Sequence, residues 1–327
     1  MRNFEYSRAA DVDQAVALHA RGSDTVYLAG GTTLLDLMKL DITQPARVVD
    51  IHKLKLDQIE PLGDGRTRIG AMVSNTNLAR HEHIRQHYPV LSQALLSGAS
   101  TQLRNKATTA GNVMQRVRCG YFRDGVSPCN KRTPGSGCAA VEGLNRNVHA
   151  VLGGSPQCIA AHPSDMCVAM VAIGATVHVQ GPRGRRDIAF ADFHLVPGDT
   201  PWKEHALEAG EIITHITLDA PMPGSRSAYL KLRDRGSYQF ALASSAVIVA
   251  LDGNNVRDIR IALGGVATKP WRAADAEAVL RGKPVSEALL RQTGEAAMAG
   301  ARSYGQNGFK LKLGQQAVVR NLSLLTA

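Results

Sequence analysis

The sequence predicts an α+β fold in two domains, the first of them bipartite. Three observations carry this. The chain has 327 residues, and at ~100–200 residues per domain that length divides into two. Prolines and a glycine cluster at "DAPMPGSRS" (219–227), which marks a boundary. Beyond it, apolar strand-like segments come first and helical patterns follow, the segregated order of an α+β domain.

In order along the chain, "DTVYLAGG" (24–31) reads as a strand running into a glycine turn. The next segment, 32–42, places Leu34, Leu35, Met38 and Ile42 at helical spacing. "ARVVDI" (46–51) and "TRIGAMV" (67–73) are strands, and Ser74 is placed to cap a following helix. Residues 77–97 are helical by pattern, with Pro89 interrupting. "LRNKATTAGNVMQ" (103–115) is polar and glycine-bearing, so a loop is expected. A cysteine-rich insert covers about 116–160, and "SDMCVAMVAIGA" (164–175) is a capped apolar helix. "TVHVQGPRGRRDIAF" then reads strand–turn–strand. After the boundary come "AYLKLRDR", "FALASSAVIVAL" and "VRDIRIALGGVA", then helical patterns near 273–280, 285–300 and 314–326.

Composition excludes several classes. The 44% apolar and 20% charged fractions are those of an ordinary globular chain. No apolar run reaches the ~18 residues of a membrane span. The N-terminus lacks the pattern of a signal peptide, so no export address of its own is expected. The net charge of +10 is scattered, with no basic helix or aromatic-rich face. It reads as a solvated surface or a dock for an acidic partner rather than a nucleic-acid site.

Two glycine segments are candidate ligand cradles. At "AGGTTLL" (29–35), the backbone N–H groups of Gly30, Gly31, Thr32 and Thr33 suit a pyrophosphate. The segment is neither a Walker A loop nor a G-x-G-x-x-G fingerprint, and taken alone an ordinary strand-to-helix turn is the stronger reading. "TTAGN" (108–112) could add donors, or be a plain loop. Asp165, at the start of the apolar helix, either caps it or accepts hydrogen bonds from sugar or ribityl hydroxyls. Lys231 lies on a strand, where a lone lysine is usually a surface residue.

All five cysteines lie between Cys119 and Cys167. Nine, eight and nineteen residues separate Cys119, Cys129, Cys138 and Cys158 in turn, and eight more precede Cys167. The close pairs of zinc sites are absent. "CNKRTPGSGC" (129–138) has no large apolar side chain and cannot order itself by burial. An iron–sulfur cluster on four thiolates would order it. Arg116, Arg118, Arg123, Lys131 and Arg132 could offset the cluster's charge. On spacing alone a cluster, disulfides and unligated thiols stand level. Cys167, inside the apolar helix, reads as a buried inert thiol.

Together "AGGTTLLDLMK", "LRNKATTAGNVMQ", "HPSDMCVAM", "YLKLRDRGSYQFAL" and "LGGVATKPWRA" resemble, in order, the FAD-binding subunits of the molybdenum hydroxylases. This is the family of xanthine dehydrogenase, carbon monoxide dehydrogenase and aldehyde oxidase. The insert resembles that of bacterial periplasmic aldehyde oxidoreductases, whose flavin subunit carries an additional [4Fe-4S] cluster. The resemblance implies a two-part FAD-binding domain of the vanillyl-alcohol oxidase-like (PCMH) type over 1–221 and a smaller α+β domain over 222–327. It implies FAD contacts from Val26, Tyr27, Leu28, Ala29, Gly30, Gly31, Thr32, Thr33 and Leu34 around the pyrophosphate, and from Thr109, Gly111 and Asn112. Arg118, Asp165, Ile212 and Lys231 complete the cofactor set, with Ile212 contacting the flavin by its backbone and Lys231 near the isoalloxazine. Cys119, Cys129, Cys138 and Cys158 would ligate the cluster. Ala110 stands where many relatives have a glycine, which puts the closeness of backbone approach there in question.

The resemblance further implies a heterotrimer with a molybdenum-cofactor subunit and a [2Fe-2S] subunit, reducing an external acceptor. No catalytic acid or base for aldehyde oxidation is expected in this chain. Periplasmic location would need co-export on a partner's signal; a cytoplasmic location is the alternative. The rival readings are a stand-alone flavin oxidoreductase of the same fold and an exported, disulfide-linked binding protein.

Overall fold

The computed structural model describes residues 1–327. Its first sheet is small and parallel, built from β1 (Glu5–Arg8), β2 (Thr25–Leu28) and β3 (Arg47–Asp50) in the order β1-β3-β2. Parallel neighbours need a crossover, and α1 (Val12–His19) and α2 (Leu34–Lys39) lie on the connections.

A second sheet is antiparallel. Its strands are β4 (Ile59–Pro61), β5 (Thr67–Gly70), β6 (Ala175–Gly181), β7 (Gly184–Ala189) and β8 (Ile212–Leu218), ordered β4-β5-β8-β6-β7. Between β5 and β6 run α3 (Asn75–Arg80), α4 (Glu82–His87), α5 (Pro89–Ser97), α6 (Thr101–Lys106) and α7 (Thr109–Val113). The insert follows with α8 (Gly120–Arg123) and α9 (Ala139–Glu142), and then α10 (Asp165–Ile173). A single turn, α11 (Phe190–Phe193), follows β7.

The third sheet pairs β9 (Ser225–Leu232), β10 (Ala243–Asp252), β11 (Asn255–Gly264) and β12 (Trp271–Arg272) antiparallel, in the order β12-β11-β10-β9. Three helices close the chain: α12 (Ala274–Leu280), α13 (Glu287–Ala297) and α14 (Phe309–Thr326). No helix is long and apolar enough to cross a membrane.

Two expectations need correction. Residues 103–115 are not a loop but lie in α6 and α7, each capped by a hydroxyl. Ser100 Oγ accepts from the Leu103 N–H and Thr108 Oγ1 from the Gly111 N–H. Those caps satisfy end donors that polar composition alone had seemed to leave to solvent. The single helix over 77–97 is three helices, and Pro89 begins the third rather than breaking it. Proline at the first helical position lacks only an N–H that would be unpaired anyway.

α10 is apolar on every face, and all nine of its residues are buried. It packs between α5 on one side and β10 and β11 on the other, tying the second sheet to the third. Met166, Val168, Met170, Val171 and Ile173 each contribute roughly 1.5–3 kcal/mol by full burial. This joint fixes Asp165, at its first turn, against β9.

The insert also differs from expectation. It has a small core of its own, in which Val117, Phe122, Ala140, Ile159 and Ala160 pack with Leu37 of α2. "CNKRTPGSGC" is further held by polar side chains. Buried Asn130 donates to Gln157 and accepts from the Gly137 N–H, and Arg132 donates to the Tyr121 and Phe122 carbonyls. Ordering here does not depend on a metal alone.

Candidate functional site

β2 ends at the turn 29–33, and the chain there has no secondary-structure partner. The N–H groups of Gly30, Gly31, Thr32 and Thr33 make no hydrogen bond within the chain. An added Cβ at Gly30 would sit 2.0 Å from the Lys106 carbonyl oxygen, and Gly31 has φ +76°. The turn therefore packs directly on the end of α6 while leaving its donors free, and only glycine fits both places.

Those donors stand at the neck between two cavities. One, of about 610 Å³, runs along Val26, Tyr27 and Ala29 to Leu34 and reaches Ile212 and Gly210. The other, of about 520 Å³, reaches Asp165, Lys231 and Arg118. Thr32, Thr33, Gly111 and Gln115 line both. A long ligand with a central anion and two planar ends suits this shape, with the anion at the free N–H groups.

The structure separates the expected contact residues. Val26, Tyr27, Ala29, Gly30, Gly31, Thr32, Thr33 and Leu34 face the first cavity. Leu28 does not line it. Thr109 is also withdrawn: it is fully buried, and its N–H and hydroxyl both donate to the Val73 carbonyl. The N–H groups of Gly111 and Asn112 are likewise spent, on Thr108. What Asn112 offers is its side chain. Its Oδ1 accepts from Gln115 and Ser164, which leaves the amide Nδ2 as a donor at the cavity wall. Ile212 lines the first cavity and Lys231 the second.

Asp165 does not cap α10; Ser164 does, accepting from the Cys167 N–H at 3.1 Å. This frees the Asp165 carboxylate for β9. Oδ2 lies 2.7 Å from Lys231 Nζ, and Oδ1 accepts from the Tyr229 hydroxyl at 2.6 Å. Tyr229 also contacts Ser244, and Lys231 donates to the Ser97 carbonyl. Burial first, then the adjacent Asp165 charge, pushes the Tyr229 hydroxyl well above its usual range, so it stays a proton donor. Lys231 is therefore buried and paired, not a surface lysine. It lines the second cavity, where Asp165 offsets much of its charge. Tyr229 was not singled out from sequence, although i and i+2 on one strand share a face with Lys231.

The expected cationic screen around the cysteines is mostly absent. Arg118 turns to the second cavity, where it lies over the Phe240 ring and meets Asp36 together with Arg123. Arg116 pairs with Glu204. Lys131 does act on a cysteine: its charge partly counters the burial that raises the Cys158 thiol to about 11. Its position is fixed by a bond to the Pro201 carbonyl.

All five cysteines are free thiols. Cys119, Cys129, Cys138 and Cys158 line one small cavity walled by Val117, Phe122 and Ala140. Cys129 and Cys138 face each other across a bridge. The free space among them is about 10 Å³. No three of the four sulfurs lie within 4.8 Å of one another. Burial raises the Cys119 thiol to about 12. Cys167 lies apart in α10, near His162 and His194.

The FAD binding domain in molybdopterin dehydrogenase, as a sequence family, matches residues 2–221, and the CO dehydrogenase flavoprotein C-terminal domain matches 227–323. The chain belongs to the FAD-binding subunits of the molybdenum hydroxylases. The aldehyde oxidoreductase FAD-binding subunit PaoB of Escherichia coli is 49% identical over 99% of this chain and 98% of its own. The carbon monoxide dehydrogenase medium chain of Hydrogenophaga pseudoflava is 29% identical over 90% of this chain and 86% of its own. Carbon monoxide dehydrogenase from Hydrogenophaga pseudoflava also matches in three dimensions, with TM-score 0.78 and 28% identity over 99% of this chain and 97% of that one. The protein is thus an oxidoreductase subunit. As a molybdenum-hydroxylase FAD subunit it has a double cavity that fits FAD: free N–H groups at the neck and a chamber on either side.

Proposed function

We propose that this chain is the FAD- and [4Fe-4S]-carrying subunit of a heterotrimeric aldehyde oxidoreductase. It would receive electrons from a molybdenum subunit by way of a [2Fe-2S] subunit and deliver them to an external acceptor. The full-length likeness to an aldehyde oxidoreductase subunit supports the complex and its substrate class. The convergence of four cysteines, distant in sequence, on one cavity supports the cluster.

The donor set suits iron and sulfide. Four thiolates are the usual ligands of a [4Fe-4S] cluster. A single zinc ion would hold its thiolates about 3.8 Å apart, given Zn–S of about 2.3 Å, and no three of these sulfurs come within 4.8 Å of one another. The small free volume runs the other way and favours a single ion. Iron and zinc analysis separates the two.

When bound, FAD supplies exchange between two-electron and one-electron chemistry, and the cluster stores single electrons. The chain's residues supply position and field. Gly30, Gly31, Thr32 and Thr33 would donate to the pyrophosphate, and Asn112 Nδ2 would add a side-chain donor. Lys231, held by Asp165 and Ser97, would present one N–H toward the isoalloxazine in the second cavity. Arg118 would border the same cavity. Ile212 and Tyr27 would then contact the adenine end. The chain would supply no acid or base to the aldehyde. Periplasmic location, by co-export on a partner's signal, belongs to the same proposal, and cell fractionation tests it.

The test is metal, sulfide and flavin analysis of the purified complex with its subunits identified. FAD together with iron beyond that of a [2Fe-2S] partner supports the proposal. A flavoprotein that purifies alone and without iron supports instead a stand-alone flavin oxidoreductase.

A further inference from the structure

His149 is buried, and both its ring nitrogens have partners. The Arg146 backbone N–H donates to Nδ1 at 3.2 Å, and Nε2 lies 3.3 Å from Cys119 Sγ. A backbone N–H can only donate, so Nδ1 must carry the lone pair. The ring proton then sits on Nε2 and points at the sulfur. A protonated ring would turn an N–H against the Arg146 N–H, so the neutral Nε2–H form alone satisfies both contacts.

The ring is also rigidly held. His149 bridges to Ala160, and the Ala150 N–H donates to the Ile159 carbonyl. The segment just after Cys158 and the segment carrying His149 are therefore held together.

We propose that His149 is a positioning residue for the iron–sulfur site, donating an Nε2–H···Sγ hydrogen bond to Cys119 that raises the site's reduction potential. This rests on the reading of the four cysteines as cluster ligands. Hydrogen bonds to a ligating sulfur stabilise the more negative, reduced state. No bond to iron is made or broken by this residue; it changes only how readily one electron is accepted.

The test uses the purified complex, in wild-type form and with His149→Phe and His149→Gln. Redox titration followed by electron paramagnetic resonance reads the cluster's midpoint potential. Iron content is measured on the same samples. His149→Phe is expected to keep its iron and shift to a more negative potential. His149→Gln, whose amide can still donate, recovers part of that shift. A His149→Phe variant with full iron and the wild-type potential overturns the proposal. A readout that needs no variant is the wild-type complex with nitrogen-15 histidine. Hyperfine coupling of an imidazole nitrogen to the reduced cluster is expected, and its absence from an iron-replete sample also overturns the proposal. A wild-type complex without the extra iron instead defeats the cluster reading itself.

Discussion

Arg118 and Cys119 are joined by one peptide bond and face different chambers. The Arg118 guanidinium lies 4.9 Å from the Phe240 ring at the wall of the Lys231 cavity. The Cys119 sulfur lines the cavity ringed by cysteines. Residues 116–119 are thus a partition between the FAD cleft and the thiol site, with Arg116 and Val117 facing the cleft as well.

The buried pair behind the second cavity predicts an asymmetric response. Asp165→Ala leaves the Lys231 charge with the Ser97 carbonyl but no counter-ion, which costs about 3–5 kcal/mol for a buried pair broken on one side. Denaturant unfolding is expected to show that loss, together with weaker FAD retention. Asp165→Asn keeps one acceptor oxygen for Lys231 and lets its amide donate to the Tyr229 oxygen, so its loss is smaller. Equal stability of wild type and Asp165→Ala would remove the pair from the core of the site.

Gly30→Ala is expected to empty the flavin site. Its Cβ would collide with the Lys106 carbonyl, a backbone atom that cannot swing aside, and overpacking of this kind costs typically about 1–3 kcal/mol. Gly63→Ala meets nothing within 4 Å and serves as control. Flavin absorbance per chain reads the difference. Full occupancy in Gly30→Ala would place the pyrophosphate elsewhere.

The thiols divide into ligands and bystander. Cys129→Ser is expected to lose most of the iron while keeping FAD. Cys167→Ala, altering a buried thiol in α10, is expected to leave iron unchanged. Iron assays on the two variants check this, and equal losses would contradict it.

Lys310 predicts a pH dependence. It is fully buried, donates to the Asn147 and Gly265 carbonyls, and burial lowers its pKa to about 7. The unfolded chain holds this proton up to a pKa of about 10.4. Between those values the unfolded state binds more protons, so stability rises with pH. The burial cost is full below about 7 and gone above about 10.4. Urea midpoints should therefore climb from pH 7 to 9 in wild type and less steeply in Lys310→Met. Parallel slopes would show that Lys310 titrates normally.

Much of this was legible in the sequence, because it lay in short-range patterns. The strand–glycine–helix turn at 24–39, the Ser74 cap and the all-apolar α10 each follow from local spacing. The bundling of the four cysteines was not, since spacing alone left three outcomes level. Tertiary contacts decided what pattern could not. Thr109 spends its donors on Val73, Leu28 is not on the lining of the cleft, and Asp165 is drawn to a lysine 66 positions away. The polar stretch 103–115 read as loop because its two hydroxyl caps, Ser100 and Thr108, were not recognised as helix starts.

The most direct measurement is iron, acid-labile sulfide and FAD per complex, made on wild type and on Cys119→Ser side by side. A full [4Fe-4S] complement above the partner's own iron, lost in Cys119→Ser while flavin stays, is the predicted result. Equal metal in the two preparations, or zinc in place of iron, would contradict it.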